Sequence, residues 1–160
     1  MSGNRNKGTV YAISVSERKG TKKVPVPTAT LCAGFGIRGD AHAGPGTRQV
    51  SLMSWESIQA FNARGKTCAP GDFAENICVA GLDFSRIRPG MRMRLGQTAE
   101  LEVTRIGKEC HRPCAIAQEA GVCIMPQEGI FCRVISGGMI RAGDDVHLLS
   151  ETRDKETEYV

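Results

Sequence analysis

Residues 107–114 read Gly-Lys-Glu-Cys-His-Arg-Pro-Cys and hold the groups in this chain best suited to chemistry. Cys110 and Cys114 sit among Lys108, His111 and Arg112, with Glu109 the one opposing charge. Cations beside a thiol favour the thiolate, the form that attacks electrophiles and ligates soft metals. Apolar residues alternating through Leu101 and Val103 to Ile106 predict a strand just before this stretch. Helix-forming residues over 115–120 predict a short helix just after it, and the start of a helix favours thiolate in a cysteine that immediately precedes it. Pro113 fixes φ and removes a backbone donor next to Cys114, which gives the second sulfur a defined direction. The plainer alternative is two half-buried cysteines packing as small hydrophobes.

A second concentration of polar side chains lies in the glycine-rich stretch 34–46, which holds Arg38, Asp40 and His42 among glycines 34, 36, 39, 44 and 46. The spacing is not that of a nucleotide-binding glycine turn, and no clear helix follows. It reads as a long loop of the kind that lines sites on a rigid scaffold. Asp40 and His42 are two apart and share a face if the segment is extended. Such a pair can relay a proton, orient a ligand, or simply tie a loop together. Cys32, Cys68, Cys78 and Cys132 lie in apolar or turn contexts without clustered charge and read as packing residues.

The elements that must position these groups are short. A strand is predicted over 8–16, followed by a basic loop over 17–23 that reads as a solvated surface. Phosphate steering by Arg18, Lys19, Lys22 and Lys23 is the sharper alternative for that loop. Pro25 and Pro27 make 24–30 extended and edge-like. A strand over 48–54, with Val50 and Leu52 on one face, runs into a helix over 55–64. Ser54 is its N-cap, Trp55, Ile58 and Phe61 form its buried stripe, and Gly65 suits its C′ position. Pro70-Gly71-Asp72 is a turn before a strand-like stretch at 73–79. Residues 91–95 and 101–106 form a hairpin, and 130–135 and 146–149 are the last strands. Seven to nine short strands with one or two short helices make the chain mainly β, as a closed or partly closed barrel that hides its own edges.

At 160 residues the chain is expected to be one domain over 1–150 with a polar, charged tail over 151–160. A net charge of +4 suits an anionic small ligand or an acidic partner. Five Phe, two Tyr and one Trp, with no basic run interleaved among them, make nucleic acid an unexpected partner. The N-terminus lacks an apolar leader and no stretch approaches membrane-spanning length, so a cytoplasmic protein with its seven cysteines reduced is expected. Oligomeric state cannot be read from these features.

Five motifs in order, Gly39-Asp40-Ala41-His42-Ala43-Gly44, Arg48-Gln49-Val50-Ser51-Leu52, Pro70-Gly71-Asp72-Phe73-Ala74-Glu75-Asn76-Ile77, Gly81-Leu82 and Arg112-Pro113-Cys114, give the chain its resemblance to a family. It resembles a stand-alone MOSC domain, the module named for the C-terminal part of molybdenum cofactor sulfurase. The resemblance implies a barrel like the one inserted in pyruvate kinase. It also implies a functional cysteine, at Cys114 rather than Cys110, that carries sulfur as a persulfide or ligates molybdenum directly. On that reading Cys110 resolves the persulfide, and Lys108, His111 and Arg112 stabilise the thiolate. Any of these, with Arg38 or Arg48, takes the pterin phosphate of a molybdenum cofactor, while Asp40, His42 and Asn76 line the pocket. The implied partners are a pyridoxal-phosphate-dependent cysteine desulfurase and enzymes that make or accept the molybdenum cofactor. Pyridoxal phosphate itself belongs to the desulfurase half, and no Schiff-base lysine is evident here, Lys108 being the only lysine near the site. Molybdenum-cofactor reductases that resemble this domain carry a further N-terminal β-rich domain, for which 160 residues leave no room, so reductase activity is not expected. Sulfur transfer, cofactor-dependent activity and no turnover at all stay open.

Two readings of other classes stand beside this one. Cys110, His111, Cys114 and Cys123 supply ligands for a structural zinc, although the spacing C-x₃-C-x₈-C lacks the paired C-x₂-C hooks of common zinc modules. A regulatory or adaptor barrel of cofactor biosynthesis would need no reactive thiol.

Overall fold

The computed structural model of the chain describes residues 6–107 and 128–151. In chain order these form β1 (Lys7–Val15), β2 (Val24–Val26), β3 (Thr28–Cys32), β4 (Gly36–Ile37), β5 (Val50–Ser54), α1 (Trp55–Asn62), β6 (Ile77–Ala80), a 3₁₀ turn (Phe84–Arg86), β7 (Met91–Leu95), β8 (Ala99–Ile106), β9 (Ile130–Ser136), β10 (Gly138–Arg141) and β11 (Asp145–Glu151). The fold is mainly β, as the sequence predicts. Seven strands close in the order β1-β6-β5-β9-β8-β7-β11, with β11 pairing back onto β1. Closure gives each of these seven strands a neighbour on both sides, which reduces the liability of unpaired strand donors and acceptors, and leaves the short β2 as the outer strand of the sheet. A bulge between Val10 and Ala12 bends β1, whose second edge is shared by β11 (at Lys7, Gly8 and Thr9) and β2 (at Ile13, Ser14 and Val15). Strands β10, β3 and β4 form a separate small sheet.

The strand at 48–54 is where sequence pattern and structure differ instructively. Val50 and Leu52 do share the barrel interior, packed with Ile13, Ile77, Leu101 and Ile130. The opposite face of β5 is buried as well, because α1 covers it: Met53 packs there with Ile58, Phe61, Phe73, Cys78 and Phe131. Phe61 meets Phe73 edge-on, with ring centroids 5.4 Å apart. The Ser54 hydroxyl accepts the Ser57 N–H at 3.2 Å, the N-cap that its sequence position predicts. The helix ends at Asn62, two residues before the predicted limit, and Gly65 turns the chain at φ +94°. Downstream, β6 pairs parallel to β5, and α1 makes the crossover that such a pairing needs.

The stretch predicted as strand over 73–79 becomes strand only at Ile77. Residues 73–76 are a tight turn with Ala74 at φ +66°, because their polar side chains bind backbone instead of a neighbouring strand. The hairpin at 91–106 forms, with Leu95 opposite Ala99. Gly107 N–H donates to the Gly129 carbonyl at 2.7 Å, so the chain leaves β8 and re-enters β9 at adjacent points. The stretch between them, 108–127, lies outside the described residues, and with it the helix expected over 115–120. Among the described residues no helix is long and apolar enough to cross a membrane.

Candidate functional site

The polar centre of the described structure is a carboxylate, Asp40, buried at the end of β1. Its Oδ1 accepts the Ser16 N–H at 3.0 Å and Lys23 Nζ at 2.8 Å, and its Oδ2 accepts the His42 N–H at 3.0 Å. Residues 40–43 are therefore a turn within the predicted loop, closed by Ala43 N–H on the Asp40 carbonyl, with the carboxylate bonding two residues ahead, so the extended geometry that would put Asp40 and His42 on one face does not occur. Lys23 corrects the reading of 17–23 as a wholly solvated loop: it is 3% exposed, and its Nζ also bonds Ser16 Oγ at 2.9 Å and His42 Nδ1 at 3.0 Å. Burial on its own would raise the pKa of Asp40. The Lys23 hydrogen bond and charge, with the two backbone donors, outweigh it and hold the carboxyl below its ordinary range.

The turn before β6 supports this centre from below. Glu75 is 1% exposed and its two oxygens accept the N–H groups of Gly71 at 2.7 Å and Phe73 at 3.2 Å. Gly71 in turn accepts the Lys23 N–H at 2.8 Å through its carbonyl. Asn76, also 1% exposed, bonds the Ser51 N–H through Oδ1 and the Ser14 carbonyl through Nδ2, locking β1, β5 and β6 together. Both bonds go to main chain, so the residue expected to line a pocket is seen holding the strands that carry Ser16.

Burial pushes the Glu75 carboxyl up to about 7, against the pull of its backbone donors. The folded state then holds this proton more tightly than the unfolded chain does. Its contribution to stability is greatest below about pH 4.5 and declines as the pH rises to about 7. The loss over that interval is about 3 kcal/mol. Urea unfolding at a series of pH values should show the decline, and Glu75→Gln should remove it, though at the cost of one N–H contact. A flat wild-type profile across the interval would refute the buried-proton account.

Arg38 and Arg48 are exposed and separately engaged. Arg38 Nη2 lies 3.9 Å from Cys32 Sγ, and the Arg48 guanidinium lies over the Phe131 ring, 5.5 Å from its centroid. Cys78 and Cys132 are buried, and burial raises both thiols well above their ordinary range. Partial burial, and then Asp72, raise Cys68. These three are poor thiolates, in keeping with packing roles. Lys108, Cys110, His111, Arg112, Cys114 and Cys123 lie outside the described residues, so the structure brings together Asp40 and His42 of the predicted set and leaves the cysteine group unplaced. Among the described residues no three His, Cys, Asp or Glu side chains are grouped to hold a metal.

Besides Lys23 and Glu75, sequence reasoning overlooks Gln49. It is 3% exposed, accepts the Val134 N–H at 3.0 Å and donates to the Gly46 carbonyl at 3.2 Å, pinning the glycine-rich loop to β9. A polar residue between Arg48 and the apolar strand gives no local sign of this, since its partner is 85 residues away.

The fold has solved counterparts. YuaD from Bacillus subtilis is similar with a TM-score of 0.76 at 20% identity, the match covering 91% of this chain and 97% of that one. YiiM from Geobacillus stearothermophilus matches at 0.71 and 19% identity, over 89% of this chain and 75% of that one. YiiM from Escherichia coli matches at 0.63 and 20% identity, over 91% and 69%. No curated protein matches by sequence. The MOSC domain model matches residues 38–147, a span that takes in the Asp40–His42 turn, the 70–77 turn and Cys114. With the barrel, the buried turn and that match in agreement, the chain belongs to the MOSC domain family, which is associated with molybdenum-cofactor proteins.

Proposed function

We propose that this barrel works in molybdenum-cofactor or sulfur-transfer metabolism through Cys114, as a sulfur carrier or as a soft ligand to molybdenum. The observation that carries the reading is the extent of the family match, which spans Cys114 and the Asp40–His42 turn together. The raised thiols of Cys68, Cys78 and Cys132 support it by making those three cysteines poor competitors for an electrophilic sulfur.

In the carrier reading, the Cys114 thiolate attacks the terminal sulfur of a persulfide on a cysteine desulfurase. A sulfur–sulfur bond forms to Cys114 Sγ, the bond to the donor's cysteine breaks, and the donor leaves as thiolate. Attack by Cys110 on Cys114 Sγ then releases hydrosulfide and leaves a Cys110–Cys114 disulfide, which a cellular thiol reductant reopens. Molybdenum cofactor, if bound, would supply a redox-active metal. The described residues fit it in part: exposed Arg38 and Arg48 suit its phosphate, whereas Lys23 is already committed to Asp40, Ser16 and His42. A metal held by the chain would need residues of 108–127, and with Cys114 as the one protein ligand the cofactor would bring the others.

Incubating the full chain with cysteine and a cysteine desulfurase should raise its intact mass by one sulfur. The gain should vanish on reduction and be absent in Cys114→Ser, while Cys110→Ser should retain and accumulate it. An unchanged wild-type mass defeats the carrier reading, and stoichiometric zinc with no titratable thiol at Cys110 or Cys114 would favour the structural metal site instead.

A further inference from the structure

The outer face of the barrel carries a row of basic side chains that strand register places side by side. Val146, Leu148, Met93 and Leu95 fill the interior, so His147 and Arg94, which alternate with them, face outward from β11 and β7. His147 stands directly opposite Lys7 on β1 and directly opposite Arg94 on β7. Neighbouring strands lie about 4.8 Å apart, so the three residues cover about 10 Å across β1, β11 and β7.

Like charges directly opposite one another destabilise a sheet, and opposite charges are the favoured neighbours. The acids around this row are engaged elsewhere. Glu100 stands directly opposite Arg94 but accepts from Arg92 Nη1 at 3.1 Å, and Glu102 accepts from Arg133 Nε at 2.6 Å. Asp145 lies 3.9 Å from Lys7 Nζ. Among the described residues, none of these ion pairs includes Arg94 or His147. Arg94 is exposed and His147 partly so. A guanidinium beside an imidazole offers N–H donors from neighbouring strands that suit the oxygens of one phosphoryl group. Asp145 and Glu100 flank the pair, so a nucleic acid or a long acidic segment laid along the row meets repulsion, whereas a compact anion does not.

We propose that Arg94 and His147, with Lys7 beside them, form a surface site for the phosphoryl group of a small phosphomonoester. The site is remote from the proposed sulfur chemistry. On β8, Glu100 lies level with the row and Ile106 lies at the root of the 108–127 stretch, a separation of roughly 20 Å along the strand. The inference therefore does not require any chemistry at Cys114.

Proton–nitrogen spectra of the arginine side chains and histidine rings in the ¹⁵N-labelled full chain test it. The probe is inorganic phosphate at neutral pH, with sodium chloride at matched ionic strength as the reference. The Arg94 Nε–H and the His147 ring should shift together and saturably with phosphate, and stay still in chloride. Arg94→Gln assigns its own resonance and, on an exposed outer face, should leave the urea midpoint in place while weakening phosphate about fivefold. Arg141→Gln, at an exposed arginine on β10, should leave the affinity unchanged. Shifts that chloride reproduces, or that grow without saturating, overturn the proposal, since screening of surface charge then explains them. Equal weakening in the two arginine variants overturns it as well. A stronger response to an acidic decapeptide than to phosphate overturns the phosphoryl assignment in favour of a protein partner.

Discussion

Replacing Lys23 by methionine is expected to lower stability by about 3–5 kcal/mol, the cost of leaving a buried carboxylate without its counter-charge. Both side chains of the pair are 0% exposed and their atoms are 2.8 Å apart, so solvent offers Asp40 no substitute. Methionine keeps the length of the lysine stem but removes the charge together with the hydrogen bonds to Ser16 and His42, so the pair is isolated only by comparison with the Asp40 variants. The double variant Lys23→Met with Asp40→Leu should recover part of the loss, since an apolar pair needs no neutralisation. Recovery stays incomplete because the N–H groups of Ser16 and His42 lose their acceptor. The measurement is the urea midpoint of wild type, both single variants and the double, read as a thermodynamic cycle. The single variant should also lose its residual stability on acidification differently. In the wild type the Asp40 contribution is present above the ordinary carboxylate range and disappears as the pH falls through its lowered folded value. A Lys23→Met cost below about 1 kcal/mol would place the pair in water, where such bridges contribute little.

A similar loss is expected from a single methyl group at Gly71. A Cβ there would lie 2.3 Å from the Lys23 carbonyl oxygen and 2.9 Å from Ser14 Oγ, and the backbone stands at φ +92°. Neither the carbonyl nor β1 can retreat without releasing the Lys23 main chain from its bond to Gly71. Strain at positive φ and overpacking together predict a cost of about 3 kcal/mol or more for Gly71→Ala. Gly20 provides the control: it has φ +77° but nothing within 4 Å of its added Cβ. Gly20→Ala should therefore show backbone strain alone, about 1 kcal/mol. Equal midpoint shifts in the two variants would mean that contact with the Lys23 loop plays no part.

The architecture and the polar loop of Asp40 and His42 were legible in the chain of residues alone. Ser54 capping a helix with Ile58 and Phe61 inward is local information, since each term lies within a turn of its partner. The hairpin of β7 and β8 is likewise written in two alternating runs and a glycine between them. Lys23 was illegible for the opposite reason. It stands in a run of basic residues whose composition says solvent, and its three partners lie 7, 17 and 19 positions away. Glu75 and Asn76 fall in a stretch through Val79 that is apolar enough to predict a strand, whereas the strand begins at Ile77. Their bonds to Gly71, Ser51 and Ser14 are what break it.

By itself, the sequence determined that strands dominate, that the helix begins after Ser54, that Asp40 and His42 belong to a loop of special shape, and that ordered motifs of the MOSC family run through the chain. These follow from propensity, periodicity and motif order, which act over a few residues at a time. Tertiary structure alone decided that a lysine comes between the carboxylate and the imidazole, that the 70–76 turn holds that lysine's backbone, and that both faces of β5 are dry. Each of those outcomes depends on barrel closure bringing distant segments within hydrogen-bonding distance in a place from which water has been removed, and only there does a basic loop residue become a buried ion-pair partner.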